Sequence, residues 1–335
     1  MALDGYHLET MIPLEYKGSS WDYVALDAAK GHVYVGMRRE GLAVVDAAAK
    51  KQLATIDKTV SSNGATLMPE FDLGVSNNGN GTLTPFTMST FKAGEPIKLG
   101  EEIDTSHYDA LTKRLFVNMA GAKGVSDIAV IQAPGMKEIG RIKMPAGKLE
   151  HAVMDGKGNM LIVARDTSLL YTIDANTMKV TAERKIEGCE QANSIDMDRA
   201  NNRLFIACRG KGAVPPALAV MDNETGKVVY TAVIGGGNDG VVYDAAAKRI
   251  ITVDGVSAVM IVFEQVDKDT YKMVEAVATR PSMRTFGYDP KTRKVYAVTA
   301  EGFADPGKPI LTAVSPFYPN TFLPGTFGVF VYAPK

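Results

Sequence analysis

The chain has 335 residues, 46% of them hydrophobic, and a formal net charge of −1. That composition can fill a large core, which excludes a disordered chain, and its Lys and Arg are scattered rather than striped, which argues against a nucleic-acid footprint. No run approaches the roughly 18 apolar residues that a membrane span requires, and Met1 to Pro13 lacks the basic start and apolar centre of a signal peptide.

In chain order, the opening segment Tyr6–Pro13 reads as a strand with no predecessor. From Trp21 onward one pattern recurs seven times: a polar residue, a short apolar strand, a turn, then a second apolar strand. The copies begin at Trp21, Asn63, Ile103, Leu149, Ala192, Asn238 and Met283. Their turn positions are Asp27, Pro69, Asp109, Asp155, Asp198, Asp244 and Asp289, spaced by 40 to 46 residues. A repeat of that length built only from strands predicts an all-β, seven-bladed propeller. The blades fall near residues 21–57, 63–100, 103–145, 149–188, 192–237, 238–282 and 283–335, the last joined by 5–15, giving one domain over 1–335. The final strand, Pro324–Tyr332, has no successor, so closure should pair it with the opening segment and set Tyr332 beside Leu8. Gly302–Leu323 is a long Pro-containing insertion in the seventh blade and reads either as a lid over one face or as a passive loop. Cys189 precedes the first strand of blade five and Cys208 ends its second. Those places share a face, so a disulfide is expected, with two buried thiols as the alternative.

The wording of the copies is itself informative. WDYVALDAAKGHVYVG, the NNGNGTLT hairpin, GCEQANSIDMDRANNRLFIAC, YDPKTRKVYAV and the terminal PGTFGVFVY resemble the YVTN-repeat, or surface-layer-type, propeller family. The resemblance covers all seven copies and implies a seven-bladed propeller in an extracytoplasmic setting, periplasmic or secreted with its leader removed. A cytoplasmic setting stays open. The chain departs from the family's usual wording by carrying Asn63–Gly64 in place of His-Gly. It also has Ile103–Asp104 and Leu149–Glu150 in place of a Pro-acid pair, and Thr292–Arg293 in place of Thr-His.

Register points to the function. Five residues before the turn position stand Asp22, Gly64 (beside Asn63), Asp104, Glu150, Asn193, Asp239 and Arg284. In a propeller this is where the chain enters the innermost strand, so the copies converge on the axis. Arg38, Asn77, Asn118, Arg165, Arg209, Asp254 and Glu301 are read as second-to-third-strand loops opening on the same face. The set suits a small polar or anionic ligand, because Arg forks recognise carboxylates in a bidentate way. Asp104, Glu150 and Asp239 could also supply hard oxygen ligands for Ca²⁺ or Mg²⁺. Zinc is disfavoured by four scattered His and the absence of CxxC. His107 and His151 lie near the funnel. Strict alternation turns His151 into the sheet stack and leaves His107, with Glu150 and Arg284, as the catalytic candidates. Gly235–Gly236–Gly237 resembles a phosphate cradle but precedes a strand, not a helix. Three functions stay open: a binding protein for a small polar or anionic ligand, a metal-assisted lactonase, hydrolase or lyase in the same funnel, and a protein-interaction platform. Oligomeric state is left open.

Overall fold

The structure is a computed structural model that describes residues 4–15, 20–121, 124–312 and 315–335. It contains seven four-stranded antiparallel sheets arranged as propeller blades, and one two-stranded hairpin. Blade one runs outward through Val24–Asp27, His32–Met37, Gly41–Asp46 and Lys51–Ile56. Blade seven joins the two ends of the chain: Phe286–Asp289, Lys294–Thr299 and Gly328–Ala333, then His7–Pro13 outermost. Leu8 pairs with Tyr332, as closure requires.

The repeated Asp makes the first hairpin of its blade. Asp27 Oδ1 accepts from the backbone N–H groups of Ala29 and Lys30, at 3.1 and 3.2 Å, and Asp109, Asp155, Asp198, Asp244 and Asp289 each accept from the backbone N–H two residues ahead in their blades. A short carboxylate that accepts from the residues ahead of it closes a turn without help from tertiary contacts. Blade two, which has Pro69 there, turns instead through a single 3₁₀ turn at Pro69–Phe71, the one helical element among the described residues. No helix among the described residues is long and apolar enough to cross a membrane.

Middle strands are buried almost throughout, whereas outermost strands such as Lys51–Ile56 alternate between exposed and covered positions. Apolar clusters lie between neighbouring blades: Leu161 and Val163 of blade four pack with Leu204 and Ile206 of blade five. Each such side chain contributes about 1.5–3 kcal/mol when fully covered, so the ring is held by blade-to-blade packing. Cys189 and Cys208 form a disulfide, with Cα atoms 5.5 Å apart.

One irregularity shapes the axis. The first strand shifts register near its axial end in five blades: between Ser62 and Gly64, Ile103 and Ser106, Leu149 and Ala152, Ala192 and Ser194, and Asn238 and Val241. A bulge breaks the strict two-residue alternation, so consecutive side chains can both reach the channel.

Candidate functional site: a charged mouth above a neutral neck

At one end of the channel lies a cavity of about 660 Å³. Five of the residues placed five before the turn line it: Asp22, Asp104, Glu150, Asp239 and Arg284. Arg38, Arg165 and Arg209 reach it from the ends of second strands, and Lys148 from the segment before blade four. Leu311, Thr312 and Tyr318 of the blade-seven insertion form part of its wall. The insertion thus covers the mouth on one side, anchored by pairing of Gly302–Phe303 with Thr321–Phe322 and by the Phe322 ring edge-on to Trp21 at 4.8 Å; residues 313–314 lie outside those described.

All four carboxylates are buried, and every one has a cationic partner. Arg38 pairs with Asp22. Lys148 Nζ meets Asp104 at 2.6 Å and Arg165 meets Glu150 at 2.9 Å. Asp239 is held by both Arg209 and Arg284, and Arg284 also reaches Asp22 at 3.4 Å. Burial alone would raise Asp239, but the two guanidiniums outweigh it and bring the carboxyl below its ordinary value. Glu150 goes the other way. Burial, reinforced by Asp104, pushes its carboxyl up to about 8 against the pull of Arg165 and Lys148. At neutral pH the mouth therefore holds six cations, Lys211 of blade five being the sixth, and a largely protonated Glu150, and carries a positive excess.

This donor set does not fit a divalent ion. The oxygens of Asp104, Glu150 and Asp239 are engaged by Lys148, Arg165, Arg209 and Arg284. Among the described residues, no three His, Cys, Asp or Glu side chains come close enough to share a metal. The Ca²⁺ or Mg²⁺ expectation counted the carboxylates on the ring; it had the Arg side chains on the same face but did not pair them with those carboxylates, and Lys148 was not in its set.

Below the mouth is a second cavity of about 260 Å³, reached past Tyr23, which lines both. Its ring is the next residue of each copy, in or just before the first strand: Tyr23, Ala65, Thr105, His151, Ser194, Gly240 and Thr285 all line it, with Thr66, Ser106 and His107 beside them. Tyr23 donates from its hydroxyl to Glu150 Oε2 at 3.4 Å and sets its ring against that of His151 at 4.8 Å. His151 Nδ1–H donates to the Asn193 carbonyl at 3.3 Å, and the His107 and His151 rings lie 6.2 Å apart. Burial pushes His107 down to about 3, helped by His151, and lowers His151 as well. Both imidazoles are neutral at physiological pH.

Several expectations therefore need correction. His151 faces the channel because the bulge between Leu149 and Ala152 breaks the alternation that turned it inward. His107 lies in the neck, whereas Glu150 and Arg284 line the mouth, and an imidazole this hard to protonate is a poor general base at neutral pH. Asn77, Asn118 and Asp254 are not loop residues but lie within the strands Leu73–Asn78, Arg114–Met119 and Arg249–Asp254. Their short side chains stay among the sheets: Asn118 Nδ2 donates to Thr105 Oγ1 and to the Glu150 carbonyl at 2.8 and 2.9 Å, and Asn77 lines the neck. Asp254, buried in blade six, accepts from Asn238 Nδ2 at 2.9 Å, and burial pushes its carboxyl to about 7. Glu301 pairs with Arg280 at 3.0 Å outside the cavity. Asn63 Nδ2 donates to the Ile103 carbonyl at 2.7 Å, and Asn193 Nδ2 to Asp239 Oδ1 at 2.7 Å, so these two brace the ring without lining its mouth. Blade two is silent there for a steric reason. A Cβ at Gly64, with φ +156°, would stand 2.8 Å from Tyr23 Cβ.

No family model and no curated protein matches the chain. Solved structures do match. A chain of hydrazine synthase from Kuenenia stuttgartiensis shares 13% identity at a TM-score of 0.71, the alignment covering 85% of this chain and 94% of that one. A chain of the mitotic checkpoint complex shares 10% identity at a TM-score of 0.72, covering 87% and 88%. At such identities the likeness is one of fold, a seven-bladed propeller, and carries no activity across.

Proposed function

We propose that this protein binds a small anionic molecule at the mouth of its channel. The observation that carries this reading is the convergence of Arg38, Lys148, Arg165, Arg209 and Arg284 on four buried carboxylates, one of which, Glu150, burial keeps largely protonated at neutral pH. An anion entering this cavity meets a positive excess behind low-dielectric walls, where charge-assisted hydrogen bonds are strong. Calorimetric titration with acetate, gluconate and 3-phenylpropionate tests it. At least one should bind, Arg165→Met should weaken that binding tenfold or more, and raising the pH from 6.5 to 9 should weaken it further as Glu150 ionises. If no carboxylate gives a binding heat at millimolar concentration, or if Arg165→Met leaves the affinity unchanged, the reading is wrong.

A catalytic use of the same mouth is the second reading, favoured by the proton that Glu150 retains near neutrality, which suits a general acid. The Cys189–Cys208 disulfide supports an oxidising, extracytoplasmic setting. The repeat wording supports placing the chain among YVTN-repeat propellers.

A further inference from the structure

The mouth is lopsided. Charged side chains reach it from every blade except the second, yet Val214, Pro215, Pro216, Val256, Leu311 and Tyr318 come only from blades five and six and from the insertion of blade seven. On that side the wall is completed by bare backbone at Gly210, Gly212, Gly236 and Gly237. Blades one, three and four present charge alone, apart from Tyr23 at the floor.

The cations divide in the same way. Arg209 donates from Nε to the Asn238 carbonyl at 2.9 Å while holding Asp239, and Arg284 is shared by Asp239, Asp22 and the Trp21 carbonyl. Both are committed to the ring itself. Arg38 holds one carboxylate, and its buried Nε has no hydrogen-bond partner. Lys148 and Arg165 likewise hold one carboxylate each. Among the cations set on the carboxylate ring, the donors left over for a ligand are therefore on the side away from the apolar wall, while the exposed Lys211 stands at the rim of that wall.

That wall also lacks cover. Leu311 of the wall is 60% exposed, and of the fifteen large apolar side chains exposed among the described residues, four more (Phe303, Ile310, Phe317 and Leu323) belong to the same insertion, outside the cavity lining. Such a concentration on one short segment beside a cavity marks a surface that gains from being covered. A polyhydroxylated anion would set its hydroxyls against Val, Pro and Leu, and lose hydrogen bonds to water without replacement.

Building on the reading of the mouth as an anion site, we propose that its ligand is a carboxylate carried on an apolar body, aromatic or branched aliphatic. Its head lies between Arg38, Lys148 and Arg165, and its body lies against Val214, Pro216, Val256, Leu311 and Tyr318. A cavity of about 660 Å³ suits such a molecule and is far larger than a bare anion needs.

The decisive measurement is the ratio of two affinities in one protein, 3-phenylpropionate against gluconate at pH 6.5. The aryl acid should bind about tenfold tighter or better, by the apolar area it covers. Leu311→Ser and Val256→Ser should each narrow that ratio about threefold, and because both affinities come from the same preparation, partial unfolding cannot mimic the change. Gluconate binding as tightly as the aryl acid, or a ratio that neither substitution moves, overturns the apolar-body proposal and leaves the anion site standing. If neither acid nor acetate binds, the anion site itself falls, and this proposal with it.

Discussion

Mouth and neck are built from adjacent residues at or just before the first strands of the blades, yet one ring is charged and the other is not. Five residues before each turn stand Asp22, Asp104, Glu150, Asp239 and Arg284; four before it stand Tyr23, Thr105, His151, Ser194 and Thr285. Long cationic side chains reach the mouth from second strands and from the segment before blade four, so a buried carboxylate there can be neutralised. Among the described residues the only charged side chain lining the neck is Asp239, which it shares with the mouth, and its imidazoles are uncharged. A charge is tolerated on the axis only where a partner can reach it.

The largest effect that separates the two rings should come from Arg284, which alone among the described residues pairs with both Asp22 and Asp239. Arg284→Met leaves buried carboxylates short of a partner and should lower stability by about 3–5 kcal/mol. Thr285, the next residue, donates to the Asp22 carbonyl at 2.6 Å, and Thr285→Val should cost only about 1–2 kcal/mol. Urea unfolding of both variants checks the contrast. Equal losses would mean that the ion network contributes no more than an ordinary hydrogen bond.

The rings should also respond to pH in opposite directions. Between pH 4.5 and about 8 the folded protein keeps a proton on Glu150 that the unfolded chain has released, so this group's contribution to stability falls as pH rises. Between 6.5 and about 3 the unfolded chain takes up a proton that folded His107 refuses, so its contribution is lost as pH falls. Each slope is at most about 1.4 kcal/mol per pH unit. Glu150→Gln should therefore flatten the decline toward alkaline pH, and His107→Asn the decline toward acid. Asp254, raised to about 7, titrates in an overlapping window, so Asp254→Asn should flatten the residual slope further, while His151, also lowered by burial, adds to the acid-side loss. Urea midpoints from pH 4 to 9 provide the test, and a Glu150→Gln profile parallel to wild type would remove Glu150 from the account.

What could be read from sequence follows the repeat. Asp27 and its equivalents identified the blades because a carboxylate that closes its own turn needs no tertiary context, and the shared offset from those turns located five of the mouth residues. His151 was misplaced because alternation holds only in an unbulged strand, and the bulge at Leu149–Ala152 has no residue signature in one sequence. Asn118 and Asp254 were taken for loop residues because their strands run one or two positions further than the apolar pattern. Lys148 and Tyr23 escaped notice for a different reason: neither type recurs at its position in the other copies. Leu311 and Tyr318 lie in an insertion without periodicity, where sequence offers no register to reason from.

The smallest expected effect concerns Tyr23, which with Asp239 lines both cavities. Its hydroxyl gives Glu150 a long hydrogen bond of 3.4 Å, and burial, with Asp104 and Glu150 nearby, raises the phenol well above its ordinary value, so it stays protonated. The ring, not the hydroxyl, separates mouth from neck. Tyr23→Phe should therefore change stability by less than about 1 kcal/mol and leave the two cavities distinct. Tyr23→Ala removes the floor. The imidazole resonances of His151, now 4.8 Å from the Tyr23 ring, report on this directly. Adding a mouth ligand should leave them unmoved in wild type and in Tyr23→Phe but shift them in Tyr23→Ala. Equal shifts in all three proteins would mean that the ligand reaches the neck unaided and that mouth and neck are one site.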